Sequence, residues 1–290
     1  MTLRDAIETY GADATRFSLA DAGDAVEDAN FVEKTANTAI LKLYTEKEWM
    51  EQAVKHDSVM RSGEMNWMDL VFMSEMQKTV SECKKAYDHM LFREALKVGF
   101  YDLMSARNSY RKAVTGMDEE STGMAAFEGL HRDCVRKFME VQALVLSPIC
   151  PHWCEDIWMN VLGSKTSIHH ALWPTFDAPV DETIIKAVQY LRDLTSKIRA
   201  AEDAAAKKKL KKGIKVEAPK ESGPRQLKLF VAPTWPEWQE EALNVLKECY
   251  DAKTNTFNGQ ETALLGQKGL LKNKKVMPFV SSTKVCLTRS

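Results

Sequence analysis

Apolar residues recur at intervals of three and four positions along most of this chain, and that spacing constrains its fold more than any other feature. Between residues 67 and 90, for example, Trp67, Leu70 and Val71 follow the helical spacing and are expected to be buried. Helices are predicted over residues 26–56, 67–90, 92–114, 124–147, 153–162, 181–209 and 235–250. Because long helices with short connections pack side by side, the sequence predicts a mainly α fold built on an antiparallel helix bundle.

Glycine, proline and capping residues mark where these helices begin and end. Gly11 is expected to end a short first helix, and Asp13 is expected to cap the next one. Pro148 and Pro151 interrupt the apolar spacing, so a bend is predicted there. Asp181 is expected to cap the long helix that follows it.

The composition is that of a globular protein, since 44% of the 290 residues are hydrophobic. Six unevenly spread cysteines in a chain of this length favour a reducing compartment over a disulfide framework. No apolar run approaches the roughly 20 residues that span a bilayer, and the first residues lack the apolar core of a signal peptide. A cytoplasmic protein without a membrane partner is predicted.

The net charge of −1 conceals an uneven distribution along the chain. Residues 197–225 carry ten Lys and Arg against four Asp and Glu, and residues 262–290 carry six basic residues and no acidic one. Residues 1–196 are net acidic. A polyanion would therefore be attracted to two basic segments near the end of the sequence rather than to the whole body.

Four motifs resemble one family of enzymes. Residues 10–16 read YGADATR, residues 92–101 read FREALKVGFY, residues 146–152 read LSPICPH, and residues 235–239 read WPEWQ. The first resembles the segment that follows the KMSKS loop of class I aminoacyl-tRNA synthetases, and the bend at 148–152 is shared across the anticodon domains of class Ia. Taken together, the motifs resemble the leucine–tRNA ligases of the eukaryotic cytosolic and archaeal type.

The resemblance implies a division of the chain into four parts. A remnant of the catalytic and stem-contact region is expected first, followed by the class Ia anticodon-binding helix bundle. A Lys-rich linker is expected next, and its glycines and prolines favour a mobile segment. A small, partial α/β C-terminal domain closes the chain, with strand alternation at 226–232 and a disordered tail after Val280 that does not resemble the family. The expected bounds are 1–25, 26–205, 206–225 and 226–290.

The resemblance also implies the function. The full enzyme would attach leucine to tRNA(Leu) using ATP and Mg²⁺. This chain has no HIGH-like tetrapeptide, no preceding KMSKS loop and no Gly-rich phosphate loop, so it is predicted to contain no catalytic residue and to be inactive alone. Its predicted role is to bind tRNA. The expected partners are tRNA(Leu), the missing catalytic and editing domains, and other synthetases.

Two groups of basic residues are candidates for contact with tRNA. Arginine clamps phosphate through paired hydrogen bonds, and Tyr110 has a ring that stacks on bases. The alternatives are a solvated helix face for the first group and a solvated linker or a nuclear-localisation signal for the second. Because leucine has several anticodons, the bundle is expected to position tRNA rather than to read its anticodon. The candidates are Arg93, Lys97, Arg107, Arg111 and Lys112, and then Lys207, Lys208, Lys209, Lys211 and Lys212.

Two clusters of cysteine and histidine carry residue types that bind zinc, but without CxxC pairing. His131 and Cys134 form one, and Cys150, His152 and Cys154 form the other. Helix packing is the preferred interpretation of both, and no metal is expected. The competing hypothesis for the whole chain is a non-catalytic helical module for protein interaction, in a multi-synthetase assembly or as a signalling scaffold.

Overall fold

Helices account for nearly all of the regular structure, which confirms the mainly α prediction. The computed structural model describes residues 2–25, 27, 30–117, 121–176, 180–211, 234–251 and 256–288. These residues form two compact units, Met1–Val216 and Glu217–Ser290. The expected strand at 226–232 and the expected linker after Lys211 lie outside the described residues.

The first unit is a bundle whose centre is the long helix α4. Its helices are α1 Leu3–Tyr10, α2 Ala12–Ala22, α3 Glu33–Lys55, α4 Trp67–Asp88, α5 Phe92–Leu96, α6 Leu103–Thr115, α7 Arg132–Leu146, α8 Pro151–Asp156 and α9 Glu182–Lys211. Helices α5, α6, α7 and α9 all pack on α4. Phe72 of α4, Phe100 and Phe138 are at most 1% exposed, so aromatic rings fill the centre of the bundle.

Local hydrogen bonds fix the helix starts. Asn66 accepts from the N–H of Asp69 at 3.0 Å, and Asp69 accepts from the N–H of Asn66 at 2.7 Å, so a capping box begins α4. The predicted cap of the long helix α9 is confirmed, because Asp181 Oδ1 accepts from Thr183 and Ile184 at 2.9 and 3.1 Å.

A π-helical segment, Lys97–Asp102, joins α5 to α6. Its Gly99 lies between a side chain of α4 and a side chain of α7. A Cβ at Gly99 would stand 3.0 Å from Cys83 Sγ and 3.2 Å from Val145 Cγ2. The absence of a side chain therefore allows the three helices to meet.

The second unit is small and mostly helical. It contains α10 Glu237–Cys249, β1 Tyr250–Asp251, β2 Thr256–Phe257, α11 Glu261–Gln267 and α12 Val276–Thr288. The two strands pair antiparallel, with Tyr250 opposite Phe257. Ala242, Val245 and Leu265 are fully buried in its own hydrophobic core.

Four expectations about the elements were wrong. The predicted disordered tail after Val280 belongs to α12, and the helix predicted from residue 124 begins at Arg132 after the cap residue His131. Trp67 and Leu70 are each 42% exposed, because they lie on the outward face of the first turn of α4, whose other face buries Asp69. The predicted start of the Lys-rich linker is helical as far as Lys211.

Candidate functional site

Two of the sequence motifs, which are more than 130 residues apart, meet in space at the bend between α7 and α8. Asp13 Oδ2 accepts a hydrogen bond from the N–H of Trp153 at 2.6 Å, in the first turn of α8. Arg16 donates to the carbonyl oxygens of Pro148 and Ile149 at 2.7 and 2.8 Å, just beyond α7. The Asp13 carboxylate thus lies at the positive N-terminal end of α8, and the Arg16 guanidinium lies at the negative C-terminal end of α7.

The expectation that Asp13 caps its own helix was therefore wrong. The N-cap of α2 is Gly11, at φ 81°, and it makes no side-chain capping bond. Asp13 lies within the first turn of α2, and its carboxylate also accepts from the ring Nδ1 of His152 at 3.1 Å. Phe17 of the same helix is 1% exposed, so α2 contributes to the core of the bundle.

A buried network around Asp69 ties α4 to α6 and α7. Asp69 is fully buried, pairs with Arg61 and accepts from the hydroxyl of Tyr110 at 2.5 Å. The Tyr110 oxygen in turn accepts from the N–H of His131 at 2.8 Å. Burial and the neighbouring Asp69 carboxylate raise the pKa of Tyr110, so its hydroxyl stays protonated and donates. Tyr110, proposed as a base-stacking residue, stacks instead on Phe72 with ring centroids 4.6 Å apart.

Two of the candidate arginines are inside the bundle. Arg107 is 7% exposed, donates to Glu46 at 2.7 Å and lies 4.2 Å from the centroid of the Trp49 ring. Arg111, one turn later, is 3% exposed. Because both side chains are buried, neither is placed to reach an RNA phosphate.

The π-helical segment changes the helical phase between Arg93 and Lys97, which precede or begin it, and the two buried arginines, which follow it. Over an unbroken α-helix, positions 93, 97, 107 and 111 share one face. A π turn holds more residues than an α turn, so Lys97–Asp102 rotates everything after it about the helix axis. The positions that would continue the face of Arg93 and Lys97 therefore point into the bundle after residue 102.

The other candidates that the structure describes are on the surface. Arg93, Lys97 and Lys112 are exposed, and Lys97 pairs with Glu94 at 3.1 Å. The Glu94 hydrogen bond and charge raise the pKa of Lys97, which therefore stays cationic. Lys207 is exposed on α9. The backbone of Lys208, Lys209 and Lys211 belongs to the same helix, and Lys212 lies outside the described residues.

The cysteine clusters lie in packed regions. Cys134, Cys150 and Cys154 are fully buried, and burial raises the pKa of the Cys134 thiol to about 12. His131 caps α7 and places Nε2 3.0 Å from the carbonyl oxygen of Gly63. Across the described ranges, no group of three or more His, Cys, Asp or Glu side chains is arranged to hold a metal ion. Among those same residues, no helix combines the length and the apolarity needed to cross a bilayer.

Sequence comparisons agree with this architecture. Residues 69–221 match the family model "Anticodon-binding domain of tRNA ligase", so the chain belongs to the anticodon-binding domain family of tRNA ligases. Residues 231–290 match the model "Leucine–tRNA ligase, RagD-binding domain". That second match includes the tail after Val280, so the expectation that the tail falls outside the family was wrong.

The similar proteins are leucine–tRNA ligases of the cytoplasm. Those of Neurospora crassa, Pongo abelii and Saccharomyces cerevisiae are 40%, 39% and 37% identical, each over 98% of this chain. The chain covers 24%, 23% and 24% of their lengths, about a quarter of each. The resemblance drawn from the motifs is confirmed.

Proposed function

We propose that this chain binds leucine tRNA as part of a cytoplasmic leucine–tRNA ligase and positions the tRNA for aminoacylation. The observation that carries the proposal is the match of residues 69–221, which include most of the bundle, to the anticodon-binding domain of tRNA ligases. The bundle has the rigidity that positioning requires, because its internal charges are fixed by partners such as Glu46 and Asp69.

Its surface cations are the proposed contacts. Arg93, Lys97, Lys112 and Lys207 are exposed, and the sequence continues the basic run through Lys208, Lys209, Lys211 and Lys212. Such side chains hold phosphates and read backbone shape rather than bases. Recognition by this surface is therefore expected to depend steeply on salt.

The chemistry of the whole enzyme is proposed to lie elsewhere. ATP and Mg²⁺ serve the activation of leucine, and that step needs lysines held in a rigid frame around the phosphates. The residues that the structure describes do not form a cation site of three or more acidic, histidine or cysteine side chains.

A binding titration with a tRNA(Leu) transcript over a series of salt concentrations tests the proposal. Substitution of Lys207, Lys208, Lys209, Lys211 and Lys212 by alanine should weaken binding and reduce the salt slope by about one unit for each phosphate that is no longer neutralised. The matched control replaces four lysines of the second unit by alanine: Lys268, Lys272, Lys274 and Lys275. Because residues 262–290 are basic as well, that control should weaken tRNA binding less than the first variant does. Failure of the unmodified chain to bind tRNA(Leu) at low salt would refute the proposal.

A second candidate function, a protein-interaction role, is favoured by the match of residues 231–290 to a RagD-binding domain. The second unit exposes apolar side chains beside its lysines: Trp235 is 58% exposed, and Leu271 and Met277 are each 42% exposed. Exposed apolar groups rimmed by charge are typical of a protein-binding surface. We propose that this surface binds RagD.

Purified RagD distinguishes the two functions. The double variant Leu271→Ala with Met277→Ala, which changes no charge, should lose affinity for RagD at least tenfold while binding tRNA(Leu) normally. The variant with alanine at the five lysines of residues 207–212 should bind tRNA(Leu) more weakly and RagD normally. Equal loss of both ligands in either variant would contradict the assignment of one function to each unit.

A further inference from the structure

The surface of the first unit contains a groove that includes only one of the proposed contacts, Lys112. It lies between the start of α4, the end of α6 and the middle of α9, and it has a volume of about 590 Å³. Trp67, Ser109, Lys112, Leu191 and Arg199 are among its lining residues. Small-molecule sites generally fall between roughly 300 and 1,000 Å³, so one nucleotide fits this space.

The groove presents an aromatic ring to solvent. Trp67 is 42% exposed, although tryptophan is usually covered by packing or by a partner. It sits at the first helical position of α4, and the capping box between Asn66 and Asp69 forms without its side chain. The start of the helix therefore does not require an indole at this position.

The charge of the groove is positive, on a unit that is net acidic over residues 1–196. Lys112, Arg192 and Arg199 line it, and its lining includes no acidic residue. Arg192 is held by Glu75, with nitrogen–oxygen distances of 2.6 and 3.2 Å, so its charge is already compensated. Lys112 and Arg199 also line the groove and add to its positive charge.

Hydroxyl groups complete the lining. Ser109, Thr195 and Ser196 face the groove, and the Thr195 hydroxyl donates to the carbonyl of Leu191 at 2.8 Å. Its oxygen keeps the capacity to accept a hydrogen bond. A ligand that fits all of these groups has a flat ring, an anionic group and both donors and acceptors.

We propose that this groove receives one unpaired nucleotide of the bound RNA. Its base stacks on Trp67 and its phosphate lies between Lys112 and Arg199. The assignment rests on the proposed tRNA-binding function and adds a defined contact to it. Lys207 follows Arg199 by eight residues, about 12 Å along α9, so the same helix continues the path of the backbone.

Titration of the 290-residue chain with a tRNA(Leu) transcript tests the groove. Trp67→Ala should weaken binding roughly 5- to 100-fold, the range expected when a base loses its stacking partner, without changing the salt slope. Trp67→Phe should restore affinity to within about threefold, because phenylalanine also stacks. Arg199→Ala should reduce the salt slope by about one unit. The matched control, Tyr44→Ala, removes an exposed aromatic ring of the first unit that does not line the groove and should have no effect.

Chemical probing of the tRNA measures the reactivity of single nucleotides, which would not change at one position if Trp67 had only a structural role. One unpaired nucleotide should be protected by the unmodified chain and reactive again with the Trp67→Ala variant. If the Trp67→Ala variant binds tRNA(Leu) with unchanged affinity, the groove does not receive a nucleotide, and the proposed tRNA-binding function stands. Failure of Trp67→Phe to restore binding would also overturn it. If the unmodified chain does not bind tRNA, both the nucleotide groove and the proposed tRNA-binding function are refuted.

Discussion

The interior of the bundle and the outer end of α9 both carry basic side chains, and they differ in what surrounds each charge. Inside, Arg107 pairs with Glu46 and Arg61 pairs with Asp69. Outside, Lys207 is exposed on a helix that continues into a basic run. An unpaired charge in the interior is costly, whereas a solvated one costs little. Buried partners, rather than the number of basic residues, therefore separate structural cations from those available to RNA.

The largest expected effect comes from breaking an interior pair. Arg107→Ala leaves the Glu46 carboxylate, 2% exposed, without its guanidinium and should lower the free energy of unfolding by about 3–5 kcal/mol. Urea unfolding measures it. The double variant Glu46→Leu with Arg107→Met removes both charges and should recover most of the loss. If Arg107→Ala is as stable as the unmodified chain, the distinction between interior and surface cations fails.

A smaller loss is expected at Gly99, which packs between α4 and α7. Gly99→Ala places a methyl group 3.0 Å from Cys83 Sγ and should destabilise the first unit by about 1–3 kcal/mol. Gly266→Ala is the matched control, since its new Cβ would lie 3.5 Å from Leu271, an ordinary contact. Thermal unfolding compares the two. A neutral Gly99→Ala would show that the interior yields more easily than its packing indicates.

A gain in stability is expected at the corner between α4 and α5. Met90 has φ 58°, the left-handed region that costs residues other than glycine about 1 kcal/mol, and its side chain is 71% exposed. Met90→Gly should therefore stabilise the chain by about 1 kcal/mol in urea unfolding. Met124→Gly, at another exposed methionine without a positive φ, should not stabilise it. Loss of stability in Met90→Gly would mean that the methionine side chain makes a stabilising contact.

The smallest change in stability is expected at the surface cations. Arg93→Ala with Lys97→Ala should alter the free energy of unfolding by less than about 0.5 kcal/mol, because the Lys97–Glu94 pair is exposed. The same variant should weaken tRNA(Leu) binding and lower the salt slope by up to about two units. Equal salt slopes with and without these residues would remove them from the RNA surface.

The local elements of the fold were predictable because they depend on neighbours in sequence. Helical spacing located α4 and α9, and the cap at Asp181 followed from one residue and its position. The tail after Val280 was mispredicted because its structure depends less on neighbours in sequence. Residues 281–288 contain few strong helix formers, and α12 is held in part by core residues such as Val280.

The candidate site was less predictable, because helix phase and long-range partners decide it. Spacing alone could not detect the π-helical segment at Lys97–Asp102, so Arg107 and Arg111 were counted with the surface cations. Asp13 has the chemistry of a local cap, but its partner Trp153 lies 140 residues away. The groove at Trp67 was missed because its apolar spacing predicts burial. The signal that could have located it is the position of Trp67 directly after the capping residue Asn66.

The bonds of α2 to both sides of the proline break have a mechanical consequence. A chain interrupted by Pro148 and Pro151 ordinarily bends there like a hinge. With Arg16 attached just before the break and Asp13 just after it, the corner is triangulated and becomes stiff. We therefore expect α2, α7 and α8 to move together as one rigid body.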